Sequence, residues 1–328
     1  MVARTHPVEQ ALLDCLLRQR VQGQVTIALS GGIDSMVLLD AMHRVLARAS
    51  TAAAPMSIDA LHVHHGLSPH ADAWAQFCQQ QCEARAIRLA VVPVKLDRMT
   101  TDGQGVEGAA RIARYAAFGE HAAPTLLAAQ HADDQAETVL HQMLLGTGLA
   151  GLAAMGEVRI LPSAQRLLRP LLALGRADIA DYADAYDVAW ISDESNDDTA
   201  FTRNFIRHDV MPLLERRFPH AAASLRRTAR HAAESVEMLQ ALASLDLAWD
   251  GATAHADALD QLSRARQTNA LYHWLRWQGV IAPSQAQLEE WAAQLFRVSP
   301  PDKPHQAGGH DFIIQRRAGL LKLVRRIE

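Results

Sequence analysis

The sequence predicts an α/β protein: a doubly wound, mostly parallel sheet, followed by a smaller, mainly helical C-terminal domain. Three observations carry this. Short apolar runs such as Val25–Leu29 and Leu89–Val94 read as strands, and the first, unbroken and partly β-branched, reads as one buried on both faces. Amphipathic helical patterns separate those runs, and βαβ succession implies parallel pairing. A glycine turn, Ser30-Gly31-Gly32-Ile33-Asp34-Ser35, joins the first run to the first long helix.

Length and composition set the bounds. At 328 residues the chain has room for about two domains, and 49% apolar residues suffice for packed cores. No run of about 18 apolar residues appears, so no membrane span is expected. The start, Met1 to Pro7, lacks the apolar stretch of a signal peptide. Three cysteines, Cys15, Cys78 and Cys82, are too few for a disulfide framework and fit a cytoplasmic protein with idle thiols. The net charge is −4, unevenly spread. Residues 1–200 hold 15 Lys and Arg against 23 Asp and Glu; residues 201–328 hold 17 against 13.

The elements follow in order. Residues 8–20 predict an opening helix with Val8, Leu12, Leu13, Leu16 and Leu17 on one side. Val25–Leu29 is the first strand, and a helix runs from the glycine turn to about residue 48. After the connector Ser50–Pro55 come a strand at Ile58–Val63, a helix at Ala71–Ala86 and a strand at Leu89–Val94. A polar loop reaches Gln104. A helix at Val106–His121, a strand at Thr125–Ala129 and a helix at Asp133–Leu145 follow. Gly146–Leu152 is a flexible bend, Arg166–Leu172 a strand closing on Pro170, and Arg176–Tyr186 a helix. Ile191–Asn204 is a polar loop, and Phe205–Arg217 is helical. The domain boundary is placed at Phe218-Pro219, giving domains 1–217 and 218–328. The second holds a long helix over His220–Leu247, helices near Thr268–Gln278 and Ser284–Phe296, and a hairpin made by Phe312–Ile314 and Leu320–Val324.

Four clusters carry chemistry. In the first, Gly31 and Gly32 let the backbone approach a bulky ligand. The N–H groups opening the next helix point outward, with Ser30 and Ser35 as hydroxyl donors. A P-loop would need a lysine here, and no Lys or Arg lies between Ser30 and Asp40. Asp34 stands in the turn instead, which suits a pyrophosphate held through Mg²⁺. The plainer alternative is a glycine turn of any doubly wound sheet.

The second cluster is His131-Ala132-Asp133-Asp134-Gln135-Ala136-Glu137-Thr138. Its acids fall three and four apart at a helix start. They serve either as partners of the helix dipole or as a cation site, for Mg²⁺ by hard oxygens or for an amine substrate. The third is His62-Val63-His64-His65-Gly66, at a strand end, where His64 is placed as a lining of a nucleotide pocket rather than as a zinc ligand. The fourth is Glu107 with Arg111 and Arg114, read either as a solvated i,i+4 pair or as an arginine clamp on phosphates; apart from these four, the dense polar stretch Asp193–Arg207 is read either as a functional loop or as a solvated linker between domains.

Ser30–Ser35 resembles the SGGxDS loop of the PP-loop ATP pyrophosphatases, and the rest narrows the likeness. His62–Leu67, Glu107–Tyr115, HADDQAET at His131–Thr138, the Gly146–Leu152 bend, Arg169–Leu172 and DESNDDTAFTRNFIR at Asp193–Arg207 resemble, in one order, the tRNA(Ile)-lysidine synthetases. Phe201 departs from that pattern, which has Tyr there. Some members also carry a further C-terminal domain.

The resemblance implies an adenine nucleotide hydrolase-like fold and a ligase that joins free L-lysine to C2 of the wobble cytidine of isoleucine tRNA with a CAU anticodon. ATP would be cut between its α- and β-phosphates, with Mg²⁺ at Asp34 and Asp133. Ser30, Gly31, Gly32, Ile33, Asp34, Ser35, His64 and Arg114 would bind the nucleotide. Asp34, Arg111, Asp133, Asp134 and Glu137 would be catalytic, the three acids of the second cluster holding the lysine amine. The basic second domain would meet the tRNA. The alternatives are a tRNA thiolase of the same superfamily and a non-catalytic adenine-nucleotide-binding module.

Overall fold

The computed structural model describes residues 5–49, 56–66, 68–94, 105–251, 253–280, 283–296, 305–309 and 311–325. The connector Ser50–Pro55 and the loop before Gln104 lie outside the described residues, as does the side chain of Glu107. The chain divides into two compact units, Met1–Arg230 and His231–Glu328.

The first unit begins with α1 (Pro7–Arg18), β1 (Gln24–Ala28) and α2 (Ile33–Ala49). It continues through β2 (Ser57–His64), α3 (Ala71–Glu83), β3 (Arg88–Pro93), α4 (Gly105–His121), β4 (Thr125–Leu127) and α5 (Ala132–Leu144). A short α6 (Leu149–Leu152), β5 (Val158–Ile160), β6 (Arg166–Leu168) and α7 (Arg176–Ala185) complete the wound part. The sheet order is β3-β2-β1-β4-β6-β5, parallel except for β5 on β6. Chain order therefore reverses at β1, which pairs with β2 on one side and β4 on the other. Beyond the strand ends at such a reversal lies the crevice where doubly wound sheets take ligands.

Both faces of the centre of the sheet are covered, as the uninterrupted apolar run of β1 requires, whereas the edge strand β3 has no fully buried residue. Val25, Ile27 and Leu127 join Leu12, Leu16, Met36, Leu39, Cys78 and Ile179 in one core. Leu61, Leu126 and Leu167 meet Phe118 and Leu161 on the other face. In this sheet β5 is the strand absent from the sequence reading. It has three residues, two of them exposed, so it carries no burial pattern to recognise.

The polar stretch after α7 is more ordered than its composition suggests. A 3₁₀ turn spans Glu194–Asp197, and helix begins at Thr202 rather than Phe205. α8 (Thr202–Phe205) runs through a π-helical turn, Ile206–Val210, into α9 (Met211–Arg217). The earlier start has a tertiary cause: Ile206 and Met211 bury themselves against Ala136 of α5.

α10 (Ala221–Asp246) follows, and the division between units falls inside it. This is later than the Phe218-Pro219 break, because Ala222 and Leu225 pack on the Ala136, Ile206 and Met211 cluster of the first unit. The second unit adds β7 (Ala254–His255), α11 (Arg264–Trp277), α12 (Gln285–Leu295), β8 (His305–Gly308), β9 (Phe312–Arg317) and β10 (Leu320–Arg325). The expected hairpin is β9–β10, but it sits in a four-stranded antiparallel sheet, β7-β10-β9-β8. Leu271, Trp274, Leu288, Trp291, Ile314 and Leu321 share that unit's core.

Candidate functional site

The glycine turn forms a closed cradle. Ser35 Oγ accepts from the backbone N–H of Ser30 and of Gly31, both at 3.2 Å, and donates to Gly32 O at 3.0 Å. The two serine hydroxyls lie 3.1 Å apart. Gly31 has φ +91°, and a Cβ there would come within 2.7 Å of Ile191 Cδ1. Ile191 arrives from the stretch after α7 and donates its N–H to Gly31 O at 3.0 Å. Glycine at 31 is thus required both by conformation and by the close approach of a second segment.

Beneath the cradle stands His62, which is buried and has Nδ1 2.9 Å from Leu29 O and 3.7 Å from Cys78 Sγ. His64 sits farther along β2, its Nε2 2.9 Å from the exposed carboxylate of Asp72. The histidine that supports the turn is therefore His62. All three cysteines are free and buried, and burial pushes the Cys78 thiol up to about 12.

Across the sheet reversal, α5 opens with a capping box. His131 Nδ1 accepts from Asp133 N at 3.2 Å, and Asp134 Oδ2 accepts from His131 N at 3.0 Å. The other end of the imidazole faces the cradle. Nε2 lies 3.7 Å from Asp34 Oδ1 and 3.7 Å from Asp134 Oδ2. Both His131 Nε2 and Asp34 Oδ1 are buried without a hydrogen-bond partner. Desolvation raises the Asp34 carboxyl despite the opposing influence of His131. Burial works against a charge on His131, but Asp133, Asp134 and Asp34 together raise its pKa.

The three acids of α5 have different surroundings. Asp133 accepts at Oδ2 from the N–H of Arg176, at the start of α7, at 2.8 Å. Its contact with His131, then that N–H, hold it down to about 2 against the effect of burial. Asp134 and Glu137 instead enter a knot with two arginines. Asp134 Oδ1 accepts from Arg203 at 2.9 Å and Arg207 at 3.0 Å. Glu137 accepts from Arg203 Nε at 3.2 Å and from Arg207 Nε and Nη2 at 2.7 and 2.9 Å. Two carboxylates face two guanidiniums, so the knot is balanced in charge. Burial tends to raise Asp134, but His131 and the arginines more than offset it.

The structure thus brings together Ser30, Gly31, Gly32, Ser35, Asp34 and His131 at one end of the reversal, with Asp133, Asp134 and Glu137 on the adjoining helix. Arg111 and Arg114 leave α4 in different company. Arg111 donates to Tyr115 Oη at 3.3 Å, whereas Arg114 is the charge that, after burial, depresses His65, to about 4. Sequence reasoning gave no site role to His131, Arg203 or Arg207. Their signal was present in the four-residue spacing of the two arginines, which matches that of a helix face toward an acidic partner.

Among the described residues no group of three or more His, Cys, Asp or Glu is arranged to hold a metal ion. A protein cage is not what Mg²⁺ needs beside phosphates, since one or two carboxylates and the phosphate oxygens suffice. The orphaned Asp34 Oδ1 fits that requirement. Asp133 fits less well, because its Oδ2 already serves the α7 backbone and lies 3.5 Å from His131 Nδ1.

A mostly parallel doubly wound sheet, with an anion cradle at its reversal and an aspartate whose buried oxygen lacks a hydrogen bond, defines a nucleotide-binding domain of the PP-loop class. The PP-loop domain family matches residues 5–214, and the chain belongs to that family. A second match, to a TilS substrate binding domain, covers residues 255–321. A tRNA(Ile)-lysidine synthase of Azoarcus sp. is 45% identical over 84% of this chain and 60% of its own length. One from Alkalilimnicola ehrlichii is 43% identical over 85% and 62%. The chain thus spans about three-fifths of the length of these curated relatives. A U34-tRNA thiolase from Methanococcus maripaludis shares the fold, with TM-score 0.56 and 17% identity over 69% of this chain and 78% of its own.

Proposed function

We propose that this protein ligates lysine to C2 of the wobble cytidine of isoleucine tRNA bearing a CAU anticodon, using ATP and yielding lysidine, AMP and pyrophosphate. One observation carries the reading. A PP-loop domain and a TilS substrate binding domain occur in one chain, and relatives 43–45% identical to it are named for this product. A thiolase reading would need a thiol that reaches the base, and Cys15, Cys78 and Cys82 are buried.

The chemistry uses the site as follows. The cytidine C2 oxygen attacks the α-phosphorus, the α–β bond breaks, and pyrophosphate leaves toward the cradle N–H groups and the Ser30 and Ser35 hydroxyls. Asp34 would hold Mg²⁺, which neutralises phosphate charge when bound. The lysine ε-amine then attacks C2, the C2–O bond breaks, and AMP departs with that oxygen. The amine must first lose a proton, to a carboxylate of the α5 cluster or through it to water, since its ordinary pKa is about 10.4. Asp133, Asp134 and Glu137 are the carboxylates that receive the cation. Asp133 is the best placed, because Arg203 and Arg207 already balance the other two. The protein acts in the cytoplasm, and no helix among the described residues is long and apolar enough to cross a membrane.

The test is incubation of the chain with ATP, radiolabelled lysine and unmodified isoleucine tRNA, followed by nucleoside analysis. Labelled lysidine is the expected product. Pyrophosphate release that ignores tRNA, with no labelled nucleoside, would overturn the reading.

A further inference from the structure

Among the described residues, a group of arginines beside the site has no acidic partner. Arg111 and Tyr115 lie on α4, Arg159 on β5, and Arg169 just beyond β6. The guanidinium carbons of Arg111 and Arg159 are 5.0 and 4.9 Å from the Tyr115 ring centroid. Arg169 is only 3% exposed. It donates from Nε to Gln130 Oε1 at 3.2 Å and from Nη1 to Gly156 O at 2.7 Å, and it also bonds the Tyr115 hydroxyl. Gln130 directly precedes His131, so the group adjoins the candidate site through one hydrogen bond.

Among the described residues, neither Arg111, Arg159 nor Arg169 forms an ion pair with Asp or Glu. Arg159 makes no hydrogen bond there at all. Three guanidiniums around one phenol repel each other, and exposed cation–π contacts offset this only weakly. Consistent with this surplus of positive charge, Arg111, Arg169 and Arg159 draw the Tyr115 phenol down in spite of its burial. Such an arrangement is complete only with an anion present. Arg111 and Arg159 are exposed, and exposed arginines hold a small carboxylate poorly because water and salt screen them. A polyanion gains additionally from counterion release, and an aromatic ring between arginines offers a surface for an unstacked base.

We propose that Arg159, with Arg111 and Tyr115 braced on Arg169, binds a phosphodiester of the single-stranded loop that carries the target cytidine. This deepens the proposed function and rests on it. Arg159 acts by positioning the loop.

The experiment measures binding of a fluorescent RNA hairpin with a CAU loop across a salt series, for the wild-type chain, Arg159→Gln and Arg159→Lys. KM values for ATP and lysine in AMP formation are taken alongside. Arg159 is exposed on an edge strand, so both variants should fold. Arg159→Gln should weaken hairpin binding about fivefold to tenfold and lower the log–log salt slope by about 0.7. Arg159→Lys should keep the slope while losing the fork. Both KM values should stay put. Unchanged affinity and slope in Arg159→Gln would overturn the proposal while leaving the function standing. So would a raised KM for lysine or ATP with hairpin binding intact, which would assign the arginines to a small substrate. A wild-type chain that does not bind the hairpin would overturn the proposal and the function together.

Discussion

Two acidic places meet at the start of α5, and they are built on opposite principles. Asp134 and Glu137 are matched by Arg203 and Arg207 through five hydrogen bonds of 2.7–3.2 Å. Asp34 faces His131 across 3.7 Å with neither atom hydrogen-bonded. The matched knot fastens the stretch at Thr202–Val210 to α5, so that a segment distant in sequence borders the crevice. The unmatched pair keeps an oxygen available for an incoming cation. Satisfied charge gives position here, and unsatisfied charge gives a place for chemistry.

The strongest way to break the comparison is to remove Asp34. Asp34→Ala should reduce AMP formation by at least about a hundredfold, as loss of a main electrostatic stabiliser does. It should leave the thermal midpoint unchanged or higher, because it deletes a carboxylate that burial disfavours. Near-normal turnover, or a clear drop in Tm, would show that Asp34 belongs with the structural acids.

The knot should answer in the other sense. Arg207→Gln leaves Glu137, whose side chain is 4% exposed, short of its main partner. The expected cost is about 3 kcal/mol in urea unfolding. ATP binding to whatever protein remains folded should persist. A loss below about 0.5 kcal/mol would mean that the knot is not what holds the Thr202–Val210 stretch.

Acid titration separates the two places by sign. Asp133 is held at about 2 in the folded state, below the unfolded value of about 3.9. Its stabilising contribution is full above the unfolded value and is lost as pH falls toward 2. The difference in urea midpoint between wild type and Asp133→Asn should therefore close on acidification. Asp34 is raised, so its charge costs stability above its folded pKa and the cost fades as pH falls through it. Asp34→Asn should accordingly be the more stable form near neutrality, with that advantage shrinking in acid. Two gaps of the same sign would contradict the comparison.

The smallest effect is expected away from both places. Arg226, Arg227 and Arg230 lie at the start of α10, with Arg227 and Arg230 exposed. Replacing all three with Gln should weaken tRNA binding and flatten its salt dependence without altering ATP affinity. An unaltered slope would leave these side chains as a solvated face.

Much of the first unit was legible in the sequence because its signals are local. A run such as Val25–Leu29 announces burial on both faces, and Ser30–Ser35 announces the turn after it. The acids at Asp133, Asp134 and Glu137 declare a helix start through spacing alone. Strands β5, β7 and β8 were not legible, being two to four residues long and short of apolar pattern. They exist because a neighbouring strand offers its free edge, as β6 does to β5. What the tertiary structure alone decided was partnership. Spacing put three acids on one helix, but only folding set Arg203 and Arg207 against two of them and left Asp34 and His131 facing each other without a hydrogen bond. The reason is physical: a carboxylate's role follows from which charges surround it at 3–4 Å, and those charges come from residues remote in the chain.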